Sequence, residues 1–276
     1  MNCKKTKRLK RKGIKAMMNK AQEKAYQAEV LSKTYDYIEN LRDNEMYKVN
    51  YNEETGLYEL HKGVDPTKDQ SYVMYNMNQR ILSHLMFPLG GQCKTETRKL
   101  AAEYDLPVAK KPDSVDICFL PHGNYQKLVV EEMKGKPESG NIVTEDGEVL
   151  GKHNGLFNYT IGQRKGLGIA YKHPLYVIGF NGDRNEVIVG PNERLFTNRM
   201  ICKFYNFLDD TIHKELKAEG KIRYAANPSP CIARILDDDT MEVIFEEPQR
   251  AITPGQSVAF YNGTQLLGGA VIDRVC

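Results

Sequence analysis

Apolar positions along this chain change their spacing twice, and each change marks a different kind of structure. Ile14, Met17, Met18, Ala21 and Ala25 recur three or four residues apart, the period of one face of a helix, and predict a helix over 14–30 with a second over 31–42. From residue 46 the pattern shortens. MYKVNY (46–51) and LYELHK (57–62) flank a turn through Asn52 and Gly56, which predicts a hairpin. GVDPTKDQSY (63–72) reads as a polar loop, and helices are predicted over 77–86 and 94–105 with FPLGG (87–91) between them. A further helix is expected over 124–134. Beyond it, two short strands bracket Asp146-Gly147, and PLYVIGF and NEVIVGP bracket Gly182-Asp183. After about residue 200 come MICKFYNF, GKIRYA, CIARILD, MEVIFEE, SVAFY and LLGGAVI, short strands at even spacing that predict a small closed barrel.

These elements make an α+β multidomain protein, and 276 residues suffice for two or three domains. Hydrophobic residues make up 41% of the chain. No apolar run approaches the roughly 18 residues needed to span a bilayer, and the basic amino end lacks the apolar centre of a secretory signal. The six cysteines at 3, 93, 118, 202, 231 and 276 are scattered without a CxxC pair. That spacing supports no zinc ribbon and fits a reducing, cytoplasmic setting. Charge is polarised: residues 1–22 hold nine Lys/Arg and no Asp or Glu, while the remainder carries 30 basic against 36 acidic residues. Such a tail is either a solvated arm or an attraction for phosphate backbones.

Chemistry concentrates in LPVAKKPDSVDICF (106–119), where Cys118 follows Lys110, Lys111, Asp113, Ser114 and Asp116. Nearby cations favour the thiolate, the form that attacks or carries sulfur. A cysteine between Ile117 and Phe119 is equally readable as a small buried hydrophobe. Lys68, Asp69 and Gln70 put a cation, an anion and an amide on one loop, and Arg223-Tyr224 put a guanidinium beside an aromatic on an expected barrel strand. Both sets suit RNA contact as well as ordinary surface roles. YTIGQRKGLGIA (159–170) is a glycine-spaced basic loop, and ITPGQ (252–256) is a turn projecting Gln256. Neither GxxxxGK[ST] nor SGGxDS occurs, and no metal set is readable.

In order along the chain, GVDPTKDQSY, FPLGG, LPVAKKPDSVDICFLPHGNY, GNIVTEDGEVLGKHNGLFNYTIGQRKGLGI, RYAANPSPC, AITPGQSVAFY and LLGGAVI resemble the tRNA-specific 2-thiouridylases, enzymes that place sulfur on C2 of the wobble uridine. The resemblance covers more than four-fifths of the chain. It implies an amino-terminal α/β ATP-pyrophosphatase-type domain, a small central domain and a carboxyl-terminal β-barrel. It also implies Cys118 as the persulfide-carrying cysteine, and Lys68, Asp69, Gln70, Arg223, Tyr224 and Gln256 as tRNA contacts. ATP is the implied cosubstrate, but the family's SGGVDS loop, its NPCxxCN-like first cysteine segment and its TGHYA segment have no match here. The residues around Cys3 differ from that cysteine segment.

The expectation is therefore a truncated or diverged 2-thiouridylase. Its parts are a basic tail with helices (1–45), a partial catalytic α/β domain (46–120), a central α+β domain (121–192) and a barrel (193–276). The expected activity is persulfide transfer to tRNA, not performed by this chain alone. The implied partners are tRNA, a persulfide-donating carrier or cysteine desulfurase, and a chain supplying the ATP-binding half, with no membrane. A non-catalytic tRNA-binding protein is the alternative.

Overall fold

The structure, a computed structural model, describes residues 49–106, 109–113 and 138–276. Cys118, the basic tail and the helices expected over 14–30, 31–42 and 124–134 lie outside the described residues. What is described is mostly β.

The hairpin consists of β1 (Val49–Asn52) and β2 (Leu57–His61). Asn52 shapes its turn by accepting the N–H groups of Glu54 and Thr55 on its side-chain oxygen, the short-range bonding that suits Asn to turns. A 3-10 turn at Ser71–Val73 follows, then α1 (Gln79–Leu82) and α2 (Lys94–Glu103). The helix expected over 77–86 is thus a single turn. Ser83 Oγ donates to the Arg80 carbonyl and His84 Nδ1 also bonds it, so side chains take an acceptor the next turn would need. α2 is close to its expected span, with Glu96 accepting the Cys93 N–H at 2.7 Å.

A four-stranded sheet contains β3 (Gly140–Thr144), β4 (Val149–His153), β5 (Tyr176–Asn181) and β6 (Glu186–Gly190) in the order β4-β3-β6-β5. β3 and β6 run parallel and the other pairs antiparallel. Its core gathers Ile142, Leu167, Leu175, Val177, Val187 and Val189. Buried His153 donates from Nε2 to the Asn185 carbonyl and accepts the Gly155 N–H on Nδ1, which fixes one neutral tautomer.

The carboxyl-terminal barrel has six antiparallel strands: β7 (Phe196–Phe207), β8 (Glu215–Lys221), β9 (Ser229–Ile235), β10 (Thr240–Arg250), β11 (Ser257–Asn262) and β12 (Gln265–Val275). They run β12-β11-β8-β9-β10-β7, and β7 closes onto β12. Every second residue points inward: Met241, Val243 and Phe245 on β10, Val258 and Phe260 on β11, Ala270 and Ile272 on β12. Pro248 lacks an N–H, and the β10–β7 register shifts between Ile244 and Gln249 around it. The start of β12 also pairs with β2, through Gln265↔His61 and Leu266↔Leu60, so the hairpin extends the barrel's sheet. A second apolar cluster, including Leu60, Tyr72, Leu82, Tyr261 and Leu266, fills this junction.

One expectation is corrected here. Arg223 and Tyr224 are not on a strand but in the turn after β8. The alternating Leu216 and Ala218 start β8 earlier than GKIRYA suggested. Its partner β9 begins at Ser229, opposite Gly220, so residues 222–228 are left to turn.

Candidate nucleic-acid interface

The polar loop after β2 is built around a buried carboxylate. Asp69 is only 7% exposed. Its Oδ1 accepts the N–H groups of Gly63 and Ser71, and its Oδ2 accepts the Ser71 hydroxyl at 2.7 Å. The Ser71 hydroxyl also meets Tyr261 Oη on β11 at 3.1 Å. Tyr72 donates to the Ser257 carbonyl, and Tyr75 bonds the Ser257 hydroxyl. The sequence KDQSY thus folds inward at Asp69 and Ser71 while presenting Lys68 and Gln70 outward. Burial raises the Tyr261 phenol to about 12, so it stays a neutral hydrogen-bonding group.

The turn after β8 reaches this loop from far along the chain. Gln70 Nε2 donates to Tyr224 Oη at 2.9 Å across 154 residues of sequence. Tyr224 is 43% exposed, and Lys221 Nζ lies 5.6 Å from its ring centroid. Partial burial draws the Lys221 pKa below the usual range. Arg223 turns the other way: its guanidinium donates to the Ala251 carbonyl and, at 3.1 Å, to Thr253 Oγ1. It thereby pins the ITPGQ turn, in which Gly255 adopts φ +83° and Gln256 is exposed. Arg223 therefore acts on its surroundings largely from within, and Tyr224 from the surface. Lys62 adds another cation, 4.2 Å above the Tyr261 ring.

Asp113, in the KPDS segment, ties that segment to the same loop. Its carboxylate pairs with Lys68 Nζ at 2.9 Å, Arg98 Nη2 at 3.4 Å and Lys94 Nζ at 3.5 Å. These cations, Lys68 first, hold the Asp113 carboxyl down to about 2, while Asp113 raises Lys68. Lys62, Lys94, Arg98 and Lys221 were not singled out from sequence, because no local pattern distinguishes them from ordinary surface cations.

Of the four described thiols, Cys93 is half-buried and Cys276 exposed. Cys202 and Cys231 are buried in the barrel, and burial pushes each up to about 12. The glycine-spaced loop lies between β4 and β5, its Gly162, Gly166 and Gly168 all at positive φ. It opens no helix and exposes Arg164 and Lys165. Among the described residues nothing forms the glycine-rich loop and helix N-terminus that hold ATP phosphates, so these residues do not fit ATP. No group of His, Cys, Asp and Glu suited to a metal occurs among them, and no described helix is long and apolar enough to cross a membrane.

Three family models match consecutive parts of the chain: a tRNA methyl transferase HUP domain over 7–122, a tRNA methyl transferase PRC-barrel domain over 128–191 and an aminomethyltransferase beta-barrel domain over 197–272. The chain is 44% identical over 228 residues to the tRNA-specific 2-thiouridylase MnmA of Carboxydothermus hydrogenoformans, covering 82% of this chain and 62% of that protein. It is 47% identical over 219 residues to the protein of that name from Geotalea uraniireducens (79% and 58%), and 42% identical over 228 residues to that from Clostridioides difficile (82% and 63%). The chain spans about three fifths of the length of the curated relatives it matches.

Proposed function

Because the chain belongs to the tRNA-specific 2-thiouridylase family, we propose that it binds tRNA across the barrel-and-loop face and relays sulfur through Cys118 toward C2 of the wobble uridine. The observation that carries this reading is the junction of Gln70, Tyr224 and the Arg223-pinned turn bearing Gln256. Of the residues that the family resemblance picks out for RNA contact, Gln70 meets Tyr224 directly, and Arg223, beside Tyr224, holds the turn that exposes Gln256. Lys68 offers a charge for phosphate, Tyr224 a ring for a splayed base, and Gln70 and Gln256 amides for base edges. Asp69 serves as the scaffold that aims its neighbours.

The proposed carrier thiol, Cys118, follows Asp113 by five residues in the sequence. Its half-reaction is thiol–persulfide exchange. The Cys118 thiolate attacks the outer sulfur of a donor persulfide, the donor leaves as a thiolate, and Cys118 becomes the persulfide. Delivery to uridine requires an activated C2, which is ATP chemistry in the family. A polypeptide supplying an ATP-binding half is a proposed partner for that step, with residues 46–120 proposed as part of the α/β catalytic domain, 121–192 as the central domain and 193–276 as the barrel. A cytoplasmic location follows from these partners.

The test pairs sulfur loading with RNA binding. The purified chain, given a cysteine desulfurase and sulfur-labelled cysteine, should acquire label that the Cys118→Ser variant does not, while both shift tRNA equally in a gel. Equal labelling of the variant would refute the relay. ATP-dependent 2-thiouridine formation by this chain alone would refute the need for a second polypeptide.

A further inference from the structure

We propose that Lys68, Lys94 and Arg98 form a binding site for a backbone phosphate of RNA, and that Asp113 fills it in the free protein as an internal substitute for that phosphate. This inference rests on the RNA-binding reading and goes beyond it, because α2 then becomes part of the contact surface. Lys94 and Arg98 stand four residues apart on α2, hence on one face, and reach the same oxygen of Asp113 that leaves Lys68 the other. The backbone supports this arrangement: Lys94 N–H donates to Asp65 Oδ2 at 3.0 Å, which fixes the start of α2 to the loop carrying Lys68. Asp65 Oδ1 is engaged by the Thr67 N–H and hydroxyl.

Three cations therefore face two carboxylates, one of them occupied with backbone, and the cluster keeps a positive excess. All three side chains are between 42% and 48% exposed, so a polyanion can reach them. A phosphodiester presents the same single charge and paired terminal oxygens as a carboxylate, so the exchange conserves charge at the triad. Lys68 and Lys94 also line a cleft of about 370 Å³, together with Met74, Met86, Phe87 and Leu89. That volume is within the range of small-ligand sites and leaves space for the nucleotide attached to the phosphate.

The experiment measures binding of a tRNA transcript and of single-stranded oligouridylate over a potassium chloride series. Lys94→Gln and Arg98→Gln should each weaken binding of both RNAs and lower the slope of log K against log salt by about 0.7–0.9, while Arg98→Lys restores the slope. Asp113→Asn should tighten binding about threefold or more, since it removes the competing anion. A merely structural Asp113 would give the opposite sign, so weaker binding by Asp113→Asn, with an unchanged melting temperature, overturns the proposal. Unchanged affinity and slope in both glutamine variants overturn it too. If tRNA binding responds to Tyr224→Ala but not to the triad, only this inference falls. If both RNAs bind alike and respond to the triad, the phosphate site stands and tRNA selectivity falls.

Discussion

The barrel and the face it carries are held together by different physics. Inside β7–β12, Phe245, Phe260, Met241 and Ile272 are at most 1% exposed, and order comes from burial of alternating apolar side chains. Around Lys68–Tyr75 the contacts that set position are polar and specific: Asp69 to Gly63 and Ser71, Tyr72 and Tyr75 to Ser257, and Asn206 Nδ2 to the carbonyls of Tyr75 and Met77 at 2.6 and 2.8 Å. A non-directional force tolerates many sequences that keep the pattern, whereas a junction of hydrogen bonds fixes which surface residues stand side by side. The barrel is the platform, and the polar junction writes the site onto it.

Thiol chemistry should report most sharply on how well the barrel side of this comparison is sealed. A pKa raised from 9.0 to about 12 at Cys202 and Cys231 leaves about a thousandfold less thiolate near neutral pH. Alkylation followed by mass spectrometry at pH 8 should therefore modify exposed Cys276 far sooner than either barrel thiol. Rapid labelling of Cys202 in the folded protein would mean that the barrel is not sealed. The sign for stability follows from the same burial. The contribution of the neutral thiols is complete below the unfolded value near 9 and is lost as pH rises toward 12, so alkaline titration should destabilise the barrel.

Next in size is Phe245→Ala, which removes a ring 1% exposed at the barrel centre and should cost about 3–5 kcal/mol in urea unfolding. Asp69→Ala should cost less, about 2–3 kcal/mol, by leaving two N–H groups and a hydroxyl without their charged acceptor. Its effect should also be local. Amide exchange should accelerate at Gly63 and Ser71 and stay slow at Val243. Equal acceleration at Val243 would show that face and barrel unfold as one unit, and the contrast between them would collapse.

What sequence could reveal follows the same division. The strands of the barrel and of the central sheet were legible because Met241-Val243-Phe245 and Ile142-Val143 carry their burial in the pattern itself. β8 was misplaced because its inward positions, Leu216 and Ala218, are diluted among Glu215, Lys217 and Glu219, and GKIRYA looked more strand-like. The Gln70–Tyr224 and Lys68–Asp113 contacts join residues 154 and 45 positions apart, and neither partner carries a local mark of the other. Residue types suited to RNA were recognisable, and family resemblance picked out several of them. Their convergence, and the division of labour between buried Asp69 and exposed Gln70, came only from the fold.

The finest test acts on a single atom of that junction. Tyr224→Ala should weaken tRNA binding by about 1–3 kcal/mol if the ring stacks on a base, with little change in melting temperature, since the side chain is 43% exposed. Tyr224→Phe keeps the ring and deletes only the acceptor for Gln70 Nε2. An exposed neutral hydrogen bond is worth about 1 kcal/mol or less, so stability should barely move. Binding should fall by less than in the alanine variant, because the ring remains while Gln70 is no longer oriented. Should Phe and Ala lose the same affinity, the hydroxyl rather than the ring makes the contact, and Tyr224 would belong with the polar junction instead of the stacking surface.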